Sequence, residues 1–136
     1  MADMEEKLKG ISNLPVLVID DLDSARAVLV DMLAELGFSD CLEARNGREA
    51  LEIIQNTPTQ LILCDFIMDG MTGVELLEQI KTQQIEQSAP VIFVSSLGDV
   101  SSVTTALELG ADDYLVKPVS MRKLRRKIEQ MLTVNE

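Results

Sequence analysis

Four polar motifs in this chain each follow a stretch of apolar residues. They are the acidic pair Asp20 and Asp21, then Asp65, Ser95 and Lys117. In an open parallel α/β sheet, ligands bind at the edge formed by the carboxyl ends of the strands. If the apolar stretches are strands of such a sheet, these side chains converge on one place. Carboxylates, a hydroxyl and an ammonium gathered there are the groups that phosphoryl transfer uses for positioning and charge neutralisation.

The acidic pair has two interpretations. Adjacent carboxylates at a strand end repel each other by about 4 kcal/mol at 4 Å and an effective dielectric constant near 20. A hard divalent cation would relieve that repulsion, and Mg²⁺ favours one or two carboxylates together with waters and phosphate oxygens. A solvated loop that caps the following helix explains Asp20 and Asp21 equally well.

The other groups also have both a chemical and an ordinary explanation. A carboxylate such as Asp65 can act as a nucleophile and form an acyl phosphate, or it can cap the turn after its strand. Lys117 can pair with a carboxylate or a phosphoryl oxygen, or it can be a surface charge. Ser95 is either a turn residue or a hydroxyl of the site. Tyr114, the only tyrosine, is either edge packing or a conformational reporter.

The composition excludes several classes of function. The 136 residues suffice for one domain with its own core. The net charge of −11 argues against a nucleic-acid surface, because phosphate backbones need Lys and Arg opposite them. With no histidine in the chain, a histidine-based metal site, catalytic triad or phosphoacceptor is impossible.

The sequence favours a cytoplasmic location without membrane contact. Cys41 and Cys64 both lie in apolar segments, as is typical of reduced core cysteines. Residues 1–12 are charged and lack the apolar region of a signal peptide. No apolar run in the chain reaches membrane-spanning length.

Strand and helix patterns alternate along the chain. Largely apolar runs predict strands at residues 15–19, 60–64 and 90–94, and shorter strands are predicted near residues 40–44 and at residues 113–116. Apolar residues in a helical period predict the first helix, at Ala25, Val28, Leu29, Met32 and Leu36, and the fourth, at Val103, Ala106 and Leu107. The other three helices have predicted inward-facing residues at Ala50, Leu51, Ile54, Val74, Leu77, Ile80, Met121, Leu124, Ile128 and Met131. Helix caps are predicted at Asp23 or Ser24, Asn46, Thr72 and Ser120, and helix stops at Gly37 and Gly110. Five such β/α units predict a parallel sheet with right-handed helical crossovers.

With these residues assembled, the chain resembles the response-regulator receiver domains of bacterial two-component signalling, single-domain chemotaxis regulators among them. Four motifs carry the resemblance, at residues 18–21, 63–73, 94–96 and 110–118. The resemblance implies an α/β, flavodoxin-like, doubly wound (βα)5 fold with a five-stranded parallel sheet in the order 2-1-3-4-5. The receiver domain would span residues 14–132, between a polar lead-in at residues 1–13 and a short tail at residues 133–136.

The resemblance implies a role for each acidic group. Asp65 matches the residue that takes a phosphoryl group from a kinase phosphohistidine. Asp21 matches a direct ligand of Mg²⁺, for which Mn²⁺ can substitute, and Asp20 matches an acidic partner that often acts through water. Asp65 itself and the backbone carbonyl of Ile67 would complete the protein ligands of the metal.

Three further residues match the groups that respond to the phosphoryl group. Ser95 matches the hydroxyl that hydrogen-bonds it, and Lys117 matches the cation that pairs with it. Tyr114 matches the aromatic switch that turns inward when the hydroxyl is recruited. In the family, the peptide bond that corresponds to Lys117–Pro118 is cis.

Several positions depart from the usual family pattern. Asp69 stands where the family usually has proline, which predicts a looser and more acidic loop after Asp65. Phe66 stands where chemotaxis regulators often have tryptophan, so no tryptophan reports on the site. Ile67 and Leu97 occupy positions whose side chains tune the attack of water. Because both are apolar, we predict a phosphoryl-aspartate that lasts minutes or longer.

The implied function is a phosphoacceptor switch that catalyses only its own phosphorylation and dephosphorylation. A sensor histidine kinase or a phosphotransfer protein would be the donor, and the surface around helix 4, strand 5 and helix 5 would control a downstream protein. Two alternatives remain: a receiver excised from a larger regulator or hybrid kinase, and an interaction module that takes no phosphate. An enzyme with an aspartate nucleophile is disfavoured, because Ile67 stands where such enzymes place a second acid.

The last helix concentrates positive charge. It holds five of the chain's 12 basic residues, namely Arg122, Lys123, Arg125, Arg126 and Lys127. A solvated helix face explains them, and a surface for an acidic protein partner is the alternative.

Overall fold

The computed structural model describes residues 14–68 and 70–132. The predicted lead-in at residues 1–13, the predicted tail at residues 133–136 and the expectation for Asp69 lie outside the described residues. Among the helices that are described, none has the length and apolar content that crossing a membrane requires.

Five parallel strands form one sheet, as predicted. β1 (Val16–Ile19), β2 (Cys41–Ala44), β3 (Leu61–Cys64), β4 (Val91–Ser95) and β5 (Asp113–Val116) pair in the order β2-β1-β3-β4-β5. Pro15 and Pro90 lie just outside strands that were predicted to include them, because a proline nitrogen has no proton for the ladder. Their carbonyls still accept hydrogen bonds, from the amides of Gln60 and Ile62, both at 3.0 Å.

Five helices cover both faces of the sheet. They are α1 (Asp23–Glu35), α2 (Gly47–Asn56), α3 (Gly73–Thr82), α4 (Val100–Glu108) and α5 (Met121–Leu132). Leu17 and Ile19 of β1 belong to the apolar core that includes residues of α2, α3 and α4, whereas Val16 and Val18 belong to the core with α1 and α5. Because successive strand residues point to opposite faces, burial of both faces explains the unbroken apolar runs.

Most helix ends agree with the sequence. The side chains of Asn46, Thr72 and Ser120 each accept a hydrogen bond from the amide three residues later, at 2.9, 3.2 and 3.1 Å. Gly37 and Gly110 follow α1 and α4 with φ angles of 105° and 111°, a conformation that glycine adopts without steric cost. The caps and stops predicted at these five positions are confirmed.

The start of α1 differs from the prediction. Its N-cap is Leu22, which makes no side-chain capping bond, so the predicted cap at Asp23 or Ser24 is wrong. The carboxylate of Asp20 accepts a hydrogen bond from the Leu22 amide at 2.9 Å. A residue at the end of β1 therefore takes part in the turn that the sequence assigned to the helix itself.

Two apolar residues of the predicted helical periods are exposed. Val28 is 53% exposed and Leu107 is 43% exposed. The buried residues of α1 are Arg26, Leu29 and Leu33, a helical stripe that leaves Val28 to one side. In α4, Leu107 follows the buried Ala106 by one position, which turns it about 100° around the helix axis and away from the sheet.

Candidate functional site

The carboxyl ends of β1 and β3 bring three carboxylates together. The two strands are neighbours, with Ile19 opposite Cys64, so Asp20 and Asp65 leave the sheet side by side. One carboxylate oxygen from each of Asp20, Asp21 and Asp65 lies within 4.8 Å of the others. Asp20 and Asp65 are buried, whereas Asp21 is half-buried. The first three predicted site residues therefore form one cluster that remains open to solvent at Asp21.

Lys117 reaches this cluster from the end of β5. Its ammonium donates to Asp20 Oδ2 at 2.8 Å and to Asp65 Oδ2 at 3.3 Å. The Lys117 amide donates to the Ser95 carbonyl at 2.8 Å, which continues the pairing of β5 with β4. The peptide bond between Lys117 and Pro118 is cis, as the resemblance implied. Lys117 is thus an ion-pair partner of two buried acids and not a free surface charge.

The surroundings shift the pKa values of Asp65 and Lys117 above their usual ranges. Burial is the main cause that raises the pKa of Asp65; the ammonium of Lys117 opposes it, and the charge of Asp20 acts with it. Burial alone would lower the pKa of Lys117, but the hydrogen bond to Asp20 and the charge of Asp65 raise it overall. The lysine therefore stays charged at neutral pH, and the site carries more carboxylates than ammonium groups.

The cluster has the chemistry of a site for a hard divalent cation. Its donors are the carboxylates of Asp20, Asp21 and Asp65, and Mg²⁺ is a cation that selects oxygen ligands. Lys117 contacts two of these acids and balances only part of their negative charge. The open side at Asp21 leaves room for the waters and phosphate oxygens that Mg²⁺ keeps as further ligands. The residues present fit such an ion.

The main chain after Asp65 folds back onto its carboxylate. The amide of Ile67 donates to Asp65 Oδ1 at 3.2 Å, so each carboxylate oxygen of Asp65 has a donor. The side chain of Ile67 is 54% exposed. A role for the Ile67 carbonyl as a metal ligand stays a prediction.

Ser95 and Tyr114 are connected through the main chain of one residue, Leu97. Ser95 is buried at the end of β4, and its Oγ accepts a hydrogen bond from the Leu97 amide at 3.2 Å. The hydroxyl of Tyr114 donates to the Leu97 carbonyl at 2.6 Å. Tyr114 is buried, so its ring is in the inward position. The two predicted switch residues therefore hold the same peptide segment from both sides.

An aromatic cluster that the sequence did not reveal joins Asp65 to Tyr114. The ring of Phe66, the residue after Asp65, lies 6.0 Å from the ring of Tyr114 and 5.4 Å from that of Phe93. Phe93 and Tyr114 meet edge to face at 6.5 Å, a favoured aromatic geometry. The three residues stand far apart in the chain, so the signal for their contact lies only in the strand order.

Sequence reasoning also missed Arg26. This arginine is buried in α1, and its guanidinium donates to the Asp20 carbonyl at 2.7 Å. It also pairs with Asp23 at 2.6 Å and with Glu43 at 3.1 Å. The available signal was its place three residues before Leu29, on the apolar stripe of α1.

The basic residues of α5 do not belong to the carboxylate cluster. Arg122, Lys123, Arg125 and Arg126 are exposed. Lys127 pairs with Asp113 at 2.9 Å, and Arg125 pairs with Glu129 at 3.3 Å. These pairs suit the interpretation of a solvated face.

Comparisons with known proteins agree with this geometry. The family described as response regulator receiver domain matches residues 16–129. The chemotaxis protein CheY1 of Helicobacter pylori is 32% identical over 124 residues, which cover 90% of this chain and 100% of that protein.

Solved structures of similar proteins have the same fold. The chemotaxis protein CheY4 of Vibrio cholerae superimposes with a TM-score of 0.78 at 27% identity, over 88% of this chain and 98% of that one. A CheY-like response regulator receiver domain protein from Methanospirillum hungatei has a TM-score of 0.75 at 31% identity, over 89% of this chain and 94% of that one. The predicted strand order and flavodoxin-like architecture are confirmed.

Proposed function

Because the chain belongs to the response regulator receiver domain family, and is thereby a phosphoacceptor switch of two-component signalling, we propose that Asp65 accepts the phosphoryl group. One observation carries this assignment. Asp65 follows its strand at the ligand-binding edge of the sheet, with Lys117 on one carboxylate oxygen and the Ile67 amide on the other. Two more acids, Asp20 and Asp21, stand within 4.8 Å. The receiver domain spans residues 14–132 in this proposal.

The metal is part of the proposal. Asp20, Asp21, Asp65 and the carbonyl of Ile67 would hold Mg²⁺ or Mn²⁺, with Asp20 acting in part through water. When bound, such an ion neutralises oxygens of the phosphoryl group, which is much of what phosphoryl transfer needs. The three clustered carboxylates support this assignment, because an ammonium alone leaves them under-neutralised.

Each residue of the site then has its own role in the transfer. A carboxylate oxygen of Asp65 attacks phosphorus; the new P–O bond makes an acyl phosphate, and the bond from phosphorus to the donor nitrogen breaks. Lys117, already 3.3 Å from Asp65 Oδ2, pairs with a phosphoryl oxygen. The hydroxyl of Ser95 donates to another. The chain catalyses its own phosphorylation and dephosphorylation and no other reaction.

The proposed switch is the connection between Ser95, Leu97 and Tyr114. When the Ser95 hydroxyl donates to the phosphoryl group, its oxygen still accepts from the Leu97 amide, a bond of 3.2 Å before transfer, so a shift of Ser95 is passed to the main chain of Leu97. The inward position of Tyr114, whose hydroxyl donates to the Leu97 carbonyl, is the position that recruitment of the Ser95 hydroxyl favours. The added charge thereby shifts the population of the surface formed by α4, β5 and α5, and that surface controls a downstream protein.

The partners follow from the same chemistry. A sensor histidine kinase or a phosphotransfer protein supplies the phosphoryl group, and neither nucleic acid nor a membrane is a direct partner. The chain acts either alone or as a receiver excised from a longer regulator or hybrid kinase. A cytoplasmic location is supported by the free thiols of Cys41 and Cys64, since disulfides are rare in reducing compartments.

Intact-mass spectrometry tests the proposal directly. The protein is incubated with acetyl phosphate, with and without Mg²⁺, beside Asp65→Asn and the control Asp31→Asn, which changes an exposed carboxylate of α1. We expect one phosphate adduct on the wild type and the control, and none on Asp65→Asn or without Mg²⁺. An adduct that persists in Asp65→Asn would refute the assignment, and no adduct on any variant would favour an interaction module that takes no phosphate.

A further inference from the structure

We propose that Arg26 is a positioning residue for the divalent cation, because it holds the turn that carries Asp20 and Asp21. This inference rests on the metal site of the proposed function and adds a residue that acts through the main chain. It does not require Arg26 to contact the cation or the phosphoryl group.

The guanidinium of Arg26 joins three parts of the fold. It donates to the carbonyl of Asp20 after β1 at 2.7 Å, to Asp23 at the start of α1 at 2.6 Å, and to Glu43 of β2 at 3.1 Å. The Arg26 side chain is only 9% exposed. A buried charge is tolerated when its hydrogen bonds are satisfied, and the planar fork of arginine serves several acceptors at once, whereas an ammonium acts as a point charge.

These contacts fix the main chain of Asp20 from both sides. The Asp20 amide donates to the Ala44 carbonyl of β2 at 3.1 Å, and the Asp20 carbonyl accepts from Arg26. That carbonyl belongs to the peptide that joins Asp20 to Asp21. Its orientation therefore sets the direction in which Asp21, the half-buried acid of the cluster, leaves the chain. Metal ligands lose affinity when the groups that orient them are removed.

A positioning role and simple electrostatics predict opposite changes in Mg²⁺ affinity when Arg26 is replaced. Arg26 is a cation beside the acidic cluster, so removing its charge would by electrostatics alone strengthen the binding of Mg²⁺. Loss of positioning would weaken it. A purely structural role would lower the stability of the fold and leave the Mg²⁺ affinity of folded molecules unchanged.

The experiment measures Mg²⁺ affinity by titrating MgCl₂ into ¹⁵N-labelled protein and following the amide shifts of residues 20–22. Arg26→Gln removes the charge and the fork, whereas Arg26→Lys keeps the charge and loses the fork. The matched control is Arg45→Gln, since Arg45 follows β2 at the same edge and pairs with Glu49 in the open. Because the shifts report folded molecules, urea unfolding in EDTA records any change in stability separately.

We expect the dissociation constant to rise about tenfold or more in both Arg26 variants, the range for lost groups that orient metal ligands. Arg45→Gln should bind Mg²⁺ as tightly as the wild type or slightly more tightly. Unchanged or tighter binding in folded Arg26→Lys and Arg26→Gln would overturn the inference alone. If wild-type binding is absent, or is unaffected by Asp21→Asn, the proposed metal site fails and the inference fails with it.

Discussion

Replacing Asp65 by asparagine should stabilise the metal-free fold even though it removes the proposed phosphoacceptor. Carboxylate oxygens of Asp20 and Asp21 lie within 4.8 Å of Asp65, and each such pair costs about 3.5 kcal/mol at an effective dielectric constant near 20. Lys117, at 3.3 Å, offsets about 5 kcal/mol on the same scale. The remainder is about 2 kcal/mol of net repulsion, and about 0.5 kcal/mol if the dielectric constant of water applies.

Burial acts in the same direction as this repulsion. Asp65 is 9% exposed, and burial raises its pKa, so the folded protein binds this proton more tightly than the unfolded chain does. The destabilising effect of the ionised carboxylate is therefore fully present above the folded-state pKa. It disappears as the pH falls through that pKa toward the ordinary value of 3.8. We expect Asp65→Asn to be about 1–3 kcal/mol more stable at pH 7.

Urea unfolding in EDTA, followed by circular dichroism between pH 4 and pH 8, measures this difference. The extra stability of Asp65→Asn over the wild type should decrease as the pH falls. The control Asp31→Asn, at an exposed site, should have a free energy of unfolding within about 0.5 kcal/mol of the wild type. Saturating Mg²⁺ should reduce or reverse this difference in the free energy of unfolding. A hundredfold excess of Mg²⁺ over the dissociation constant adds about 2.7 kcal/mol to the stability of a protein that binds it. A destabilised Asp65→Asn at pH 7 without metal would show that the pairing with Lys117 outweighs repulsion and burial.

Three other predictions concern the same edge of the sheet. Lys117→Met should destabilise the fold by about 3 kcal/mol or more, because it leaves the buried carboxylate of Asp20 without its ion-pair partner. This change is opposite in sign to that of Asp65→Asn. Urea unfolding measures the stability, and an unchanged midpoint would contradict the prediction. Ile67 and Leu97 offer attacking water no polar group, so after removal of acetyl phosphate the adduct should persist for minutes or longer by mass spectrometry; a half-life of seconds would refute this. Tyr114→Phe should cost about 1 kcal/mol by urea unfolding through the lost bond to the Leu97 carbonyl, while phosphate uptake continues; no loss of stability would argue that this bond is not maintained in solution.

The fold could be read from the sequence because its strongest signals are local. Strands buried on both faces leave unbroken apolar runs, such as residues 61–64, and the runs of β1, β3 and β4 lead to Asp20, Asp65 and Ser95. Since the carboxyl ends of parallel strands meet at one edge, the meeting of Asp20 and Asp65 was expected from the neighbouring strands β1 and β3. Lys117 reaches both acids from β5, two strands beyond β3.

What could not be predicted depends on tertiary contacts that local patterns do not encode. Arginine in a helix is usually exposed, whereas the guanidinium of Arg26 is buried with acceptors on Asp20 and Glu43, which belong to other parts of the fold, and on Asp23. The same turn misled the prediction of the α1 cap, because Asp20 reaches forward to the Leu22 amide. Val28 fitted a helical period but lies beside the stripe that Arg26 and its neighbours form.

The two bonds to Leu97 have a consequence for how this protein can evolve. The hydrogen bonds that Ser95 and Tyr114 make to Leu97 use its main-chain amide and carbonyl, which every residue except proline provides. The Leu97 side chain is partly exposed, so it can be exchanged without removing either bond. If the Leu97 side chain tunes the attack of water, as the family resemblance implies, substitutions at this position change the lifetime of the phosphoryl group while the hydrogen bonds from Ser95 and Tyr114 to Leu97 are kept.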